Sequence, residues 1–126
     1  MIEKYDVVIV GSGPAGISAA CHAASLSMSH MLVEKTDHLS DTIFKYQKGK
    51  HVMATPEVLP LRSDITFAAG KREMVLDAWG EAVEKMSAQV RFGFDVAEIT
   101  GQKDDFLVTA ANGDTVRCRN IVLALG

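Results

Sequence analysis

An α/β fold is what this 126-residue sequence predicts, with a Rossmann-like parallel sheet, helices on its faces and a small antiparallel β-meander appended. Three observations carry that reading. Val7-Val8-Ile9-Val10 is an unbroken β-branched run, the pattern of a strand buried on both faces. Gly11-Ser12-Gly13-Pro14-Ala15-Gly16 follows without a gap and opens a helical stretch. A second apolar run, His30-Met31-Leu32-Val33, then ends on Glu34.

Taken in order, residues 5–10 form the first strand and 14–27 the first helix. Proline suits a first helical position, where Pro14 falls. Ala15, Ala19, Ala20, Ala23 and Ala24 are small enough to bring that helix close to the sheet. Residues 31–34 form the second strand. Lys35 to Lys50 is polar and without a clean period, with Ile43-Phe44-Lys45-Tyr46 as a short helical turn. His51 to Thr66 holds Pro56 and Pro60, which exclude a long helix and leave an extended or irregular connection. Within it Ala54-Thr55-Pro56 is small enough to let backbone approach a ligand; a surface excursion without contacts is the alternative.

Residues 71–87 read as a second helix. Val75, Trp79, Ala82, Val83 and Met86 recur at spacings of three and four and form its apolar face. Lys71, Arg72, Glu73, Asp77, Glu81, Glu84 and Lys85 fill the solvated side. Val90-Arg91-Phe92 is a short strand. Residues 94–118 then change style, with alternating runs at 94–100, 105–110 and 114–118. Gly101-Gln102-Lys103-Asp104 and Asn112-Gly113 separate them, and Asn-Gly between such runs is a strong hairpin signal. Ile121 to Gly126 is apolar again and reads as a separate, buried parallel strand ending in glycine. Residues 1–126 thus read as one domain, without repeats or linkers.

The glycine turn has a specific chemistry. Gly11 allows the sharp exit from the strand, Gly13 lets a pyrophosphate approach the backbone, and Gly16 lets the helix pack on the sheet. The free N–H groups of the first helical turn and the helix dipole favour an anion there. Glu34 follows Gly11 by about 20 residues, the interval at which such a motif places the acid that binds an adenosine ribose. A carboxylate would repel a 2′-phosphate, which argues against NADP at this position. The bland alternative is a strand–helix turn that binds nothing. The strand, helix and acid around the glycines favour the dinucleotide reading.

Composition bounds the rest. The chain is 48% apolar and 23% charged, ordinary for a globular domain. A net charge of −3 gives no reason to expect nucleic acid or an anionic membrane surface as a partner. The N-terminus lacks the pattern of a secretory signal, and no apolar run approaches the ~20 residues that span a bilayer. A cytoplasmic location is the expectation. Cys21 and Cys118 form no Cys-x-x-Cys pair and read as small buried apolar residues.

Other constellations carry little. His22, His30, His38 and His51 have no metal-ligand spacing, and His38 beside Asp37 and Asp41 reads as a polar loop. No Gly-x-Ser-x-Gly elbow is present, and no Gly-Lys-Ser/Thr completes a Walker loop. Asp104-Asp105 reads as part of a hairpin turn. No catalytic acid, base or nucleophile stands out.

Val-Val-Ile-Val-Gly-Ser-Gly-Pro-Ala-Gly, Glu34, the helix-then-meander order from Lys71 to Cys118, and the strand Ile121 to Gly126 together resemble the FAD-binding region of the two-dinucleotide-binding-domain flavoproteins. That superfamily includes thioredoxin reductase and the pyridine nucleotide-disulfide oxidoreductases. Leu125 stands where the family's last strand usually has threonine. Tyr46 to Glu57 also resembles the thioredoxin reductase-like bacillithiol disulfide reductases.

The resemblance implies FAD as cofactor. It implies cofactor contacts from Gly11, Ser12, Gly13, Pro14, Ala15, Gly16, Glu34, Lys35 and Gly126: Gly11, Gly13, Ala15 and Gly16 would face the pyrophosphate, Glu34 the ribose, and Gly126 a second crossing of the cofactor. In such proteins an NAD(P)H-binding domain follows, and a returning segment with a Gly-Asp motif completes the FAD domain. Neither is within these residues, so the FAD-binding domain is expected to be incomplete and the chain alone to have little activity. Residues 35–50 hold no cysteine, against the glutathione reductase-like subgroup. Hydride transfer from NAD(P)H to FAD, then to an acceptor, is the implied reaction of the whole protein. A homodimer is compatible with it. The rival expectation is a stand-alone, non-catalytic module that binds the adenosine half of NAD or FAD.

Overall fold

The computed structural model describes residues 4–40, 51–52 and 70–125. One six-stranded sheet organises them. In chain order the elements are β1 (Tyr5–Val10), α1 (Pro14–Ser25), β2 (His30–Val33), β3 (His51–Val52), β4 (Gly70–Lys71), α2 (Arg72–Lys85), β5 (Val90–Arg91), β6 (Val96–Gln102), β7 (Asp105–Ala110) and β8 (Thr115–Leu123). The sheet order is β5-β2-β1-β8-β7-β6, while β3 and β4 form a separate two-stranded pair. β5, β2, β1 and β8 run parallel, and β8, β7 and β6 antiparallel. The α/β fold with a meander is as the sequence predicts, except that the meander is continuous with the main sheet.

β1 explains why its apolar run is unbroken. Alternate residues point to opposite faces of a strand, and both faces are covered. Val7 and Ile9 join Ile17, Ala20, Cys21, Ala23, Leu32, Trp79 and Val83 on the helix side. Val8 and Val10 join Val33, Phe94, Val108, Ala110, Val116 and Cys118 on the other. Trp79 is buried in the helix-side core, as its place on the apolar stripe of α2 predicts. Both cysteines are buried, and neither is in a disulfide. Cys118 lies within β8, not at a strand end, and burial raises its thiol pKa.

Both helices end earlier than the periodicity predicts, at Ser25 instead of 27 and at Lys85 instead of 87. Serines cause this. Ser27 (φ 56°) and Ser87 (φ 59°) take the left-handed conformation. The next amides then fold back, Met28 N–H to the Ala23 carbonyl and Ala88 N–H to the Val83 carbonyl, both at 3.0 Å. This is the helix stop usually supplied by glycine, so no glycine marks either end. β2 likewise runs from His30 to Val33, one residue ahead of the 31–34 expectation.

β8 departs furthest from the sequence expectation. The sequence predicts two strands, 114–118 and 121–126, the second buried. They are one strand, Thr115–Leu123. Its first half pairs antiparallel with β7 as far as Phe106↔Cys118. From Cys118 onward it pairs parallel with β1, ending at Val10↔Leu123. Nothing between Cys118 and Ile121 turns the chain, so both pairings fall on one extended segment. Past Cys118 the β7 edge has ended, and Val122 and Leu123 are 39% and 62% exposed. The buried expectation therefore fails there.

The turns are tighter than the sequence suggests. β6 runs through Gly101 and Gln102, leaving Lys103 and Asp104 as the turn residues. Asp104 (φ 67°) takes the left-handed turn conformation. Asp105 belongs to β7 and lies 3.5 Å from Lys4 and 3.6 Å from Arg117. Asn112-Gly113 does make the β7–β8 turn, with Gly113 at φ 96°. The expected helical turn at 43–46 and the segment 54–56 lie outside the described residues. Among the described residues, no helix is long and apolar enough to cross a membrane.

Candidate functional site at the carboxyl edge of the sheet

Parallel pairing brings three strand ends to one edge. Val10 pairs with Val33 on one side and with Leu123 on the other. Gly11, Glu34 and Ala124, the residues that follow them, therefore line up at the point where the chain leaves β1 toward α1. In open α/β sheets the crevice outside such a switch point is where ligands bind.

Gly11 sits at φ 103°, and a Cβ there would collide with the Ala124 carbonyl. Its amide donates to the Val33 carbonyl at 3.0 Å and ties the turn to β2. Gly16 is buried, and a Cβ on it would strike the Gly11 carbonyl, so only glycine lets α1 begin this close to β1. Gly13 differs from both. A Cβ added to it would meet no atom within 4 Å. It is the N-cap of α1, with ordinary extended φ and ψ, no side-chain cap bond, and Pro14 at the start of the helix. The first N–H groups of a helix have no intrahelical partner. Pro14 and Ala15 are exposed, so this end of α1 faces outward.

Ser12 is buried and joined to Glu34. Its hydroxyl donates to Glu34 Oε1 at 2.6 Å, and its amide donates to the same oxygen at 3.2 Å. Thr36 serves the second oxygen, with its amide and its Oγ1 both 2.9 Å from Oε2. Ser40 closes the arrangement. Its amide lies 3.0 Å from Ser12 Oγ, and its hydroxyl donates to the Ser12 carbonyl at 2.8 Å. The Gly93 amide donates to the Thr36 carbonyl at 3.0 Å, which anchors this segment to the exit of β5.

Glu34 is buried, at 7% exposure. Burial pushes its carboxyl pKa up, but the hydrogen bonds from Ser12 and Thr36 outweigh that and hold it below the ordinary value of 4.5. At neutral pH the site therefore carries a fixed negative charge beside the glycine turn. Lys35 lies exposed immediately after it.

The structure thus brings Gly11, Ser12, Gly13, Pro14, Ala15, Gly16, Glu34 and Lys35 to one edge; Gly126 lies outside the described residues. Sequence reading missed Thr36 and Ser40, which the 35–50 stretch hid among ordinary polar residues. A small hydroxyl residue two positions after a strand-ending acid was the available signal. The His38 ring lies 2.7 Å from Asp37.

A sheet of this order, with a glycine turn on α1 and a buried acid after β2, defines a nucleotide-binding α/β class. Residues 5–126 match the pyridine nucleotide-disulphide oxidoreductase family, and the chain belongs to that family. It is 25% identical to a ferredoxin–NADP reductase from Leuconostoc mesenteroides over 127 aligned positions, covering the whole chain but 35% of that reductase. It is 27% identical to dihydrolipoyl dehydrogenase 3 of Pseudomonas aeruginosa, over 90% of this chain and 21% of that enzyme. Among solved structures, the bacillithiol disulfide reductase of Staphylococcus aureus has the same fold. The TM-score is 0.82 at 22% identity, covering 99% of this chain and 39% of that one. The chain therefore spans about a third of the first of these relatives.

Proposed function

We propose that these residues are the N-terminal FAD-binding portion of an NAD(P)H-dependent flavoprotein oxidoreductase. The observation that carries this reading is the pairing of an open, outward-facing Gly13 with a buried, ionised Glu34 on one strand edge. The first suits a pyrophosphate, which needs close backbone approach and N–H donors. The second suits a ribose, which presents hydroxyl donors. Family membership supports the same assignment.

In this reading Gly11 to Gly16 hold the pyrophosphate through backbone amides and the positive end of α1. Glu34 accepts from the adenosine ribose, Lys35 lies at the rim of that contact, and Gly126 approaches the cofactor a second time. A bound flavin would supply the hydride and electron-transfer chemistry between a nicotinamide and an acceptor. The chain's own residues bind and orient the cofactor. None of them is assigned to the redox step, so residues 1–126 alone are expected to have little activity. The protein acts in the cytoplasm in this reading, and a homodimer is compatible with it.

A thermal-shift titration tests the assignment. A ligand that binds only the native state stabilises it by RT ln(1 + [L]/Kd). FAD is expected to raise Tm more than NAD at equal concentration. A larger shift with NAD would favour a nicotinamide-binding module instead.

A further inference from the structure

Glu34 is already saturated by the protein. A carboxylate has about four lone-pair sites, and Ser12 and Thr36 direct two donors each at its oxygens. A ribose hydroxyl can be accepted only if one of these donors withdraws. The four are not equivalent. Ser12 Oγ accepts the Ser40 amide while it donates to Oε1, so its one proton is committed. The two backbone amides are fixed by the chain. Thr36 Oγ1 alone has a second acceptor in reach, the His38 carbonyl at 2.8 Å, against 2.9 Å to Glu34 Oε2. It holds one proton, so it serves one of them at a time. The His38 amide, 3.4 Å from Oγ1, completes its surroundings.

We propose that Thr36 is a positioning residue that controls access to Glu34. Its hydroxyl holds Oε2 while the site is free of ligand. When an adenosine ribose arrives, that proton turns to the His38 carbonyl and one lone pair of Oε2 becomes available to a ribose hydroxyl. No heavy atom of the protein has to move for the exchange. The buried carboxylate is thus never left short of donors, which would be costly. Binding gives up one hydrogen bond to a charged oxygen in return, so Thr36 lowers affinity for the adenosine end. This rests on the FAD reading above.

The test compares wild type, Thr36→Val, Thr36→Ala and Thr36→Ser as full-length protein stripped of flavin. FAD binding is read by flavin fluorescence, and the Glu34 carboxyl titration by carbon-13 NMR without ligand. Thr36→Val and Thr36→Ala are expected to bind FAD about fivefold more tightly, the worth of one ordinary hydrogen bond. Their Glu34 carboxyl should titrate at higher pH than in wild type. Thr36→Ser keeps the hydroxyl and should match wild type in both. Equal or weaker FAD binding by the Val and Ala variants, in a wild type that does bind FAD, would overturn the exchange alone. A wild type that binds no FAD would overturn the flavoprotein reading and the exchange together. An unchanged Glu34 titration in both variants would also overturn the exchange, since the hydroxyl would then not be serving Oε2.

Discussion

The Ser12 hydroxyl lies 2.6 Å from Oε1 of Glu34, across 22 positions of sequence. That bond joins the turn after β1 to the end of β2. The glycine turn and the acid are one unit, fixed relative to each other before any ligand arrives. Ser40 extends the unit by bonding Ser12 through both its amide and its hydroxyl. Ser12→Ala removes the shared hydroxyl and leaves Glu34 one donor short in a buried setting, while the Ser40 amide keeps the Ser12 carbonyl at 2.9 Å. The expected cost is about 1–3 kcal/mol of stability, read by chemical denaturation. Ser12→Thr, which keeps the hydroxyl, should lose less.

Glu34→Gln tests the charge. The folded-state pKa of Glu34 lies below 4.5, so its ionised form stabilises the fold. That contribution is complete above the unfolded pKa and is lost as pH falls through the folded one. The Gln variant does not titrate there. At neutral pH it should be less stable than wild type by about 1.5–3 kcal/mol, the range for hydrogen bonds to a charged group. The gap should shrink as the pH is lowered below 4.5. A gap that widens in acid would mean the carboxyl is held above its ordinary value.

Gly13 and Gly16 separate ligand binding from folding. A Cβ at Gly16 would strike the Gly11 carbonyl, so Gly16→Ala should cost about 1–3 kcal/mol through forced displacement of α1. A Cβ at Gly13 meets nothing within 4 Å, and the backbone there suits alanine. Gly13→Ala should therefore keep the wild-type Tm while weakening FAD binding, because its methyl occupies the open face of the turn. Denaturation and an FAD titration on the same two variants check both halves.

His30 fastens the opposite edge of the sheet. Its Nδ1 is 3.0 Å from the Met28 carbonyl, and its Nε2 is 2.9 Å from the Gln89 amide. A carbonyl only accepts and an amide N–H only donates, so the ring is neutral with its proton on Nδ1. This clasps the start of β2 to the chain entering β5. His30→Phe would leave the Gln89 amide without that acceptor, at a cost of about 1–3 kcal/mol. Faster hydrogen exchange at Gln89 is the accompanying local signature.

Much of this was legible because the signals were local. The apolar run of β1, the glycine turn, the acid after β2 and the stripe around Trp79 each state their own structure. What stayed hidden depended on distant partners. The helix ends rest on Ser27 and Ser87 in a conformation that serine does not advertise. The merging of two expected strands into β8 depends on β7 and β1 pairing with successive halves of it. The saturation of Glu34 depends on Thr36 and Ser40, whose residue types are common in any loop.

The proposed binding of FAD at this edge of the sheet has a spectroscopic signature. That binding is tested most directly by the absorption spectrum of the native protein purified from its source, with mass identification of any cofactor released on denaturation. Flavin bands with close to one FAD per chain are predicted. A colourless protein that releases NAD, or no nucleotide, would contradict the account.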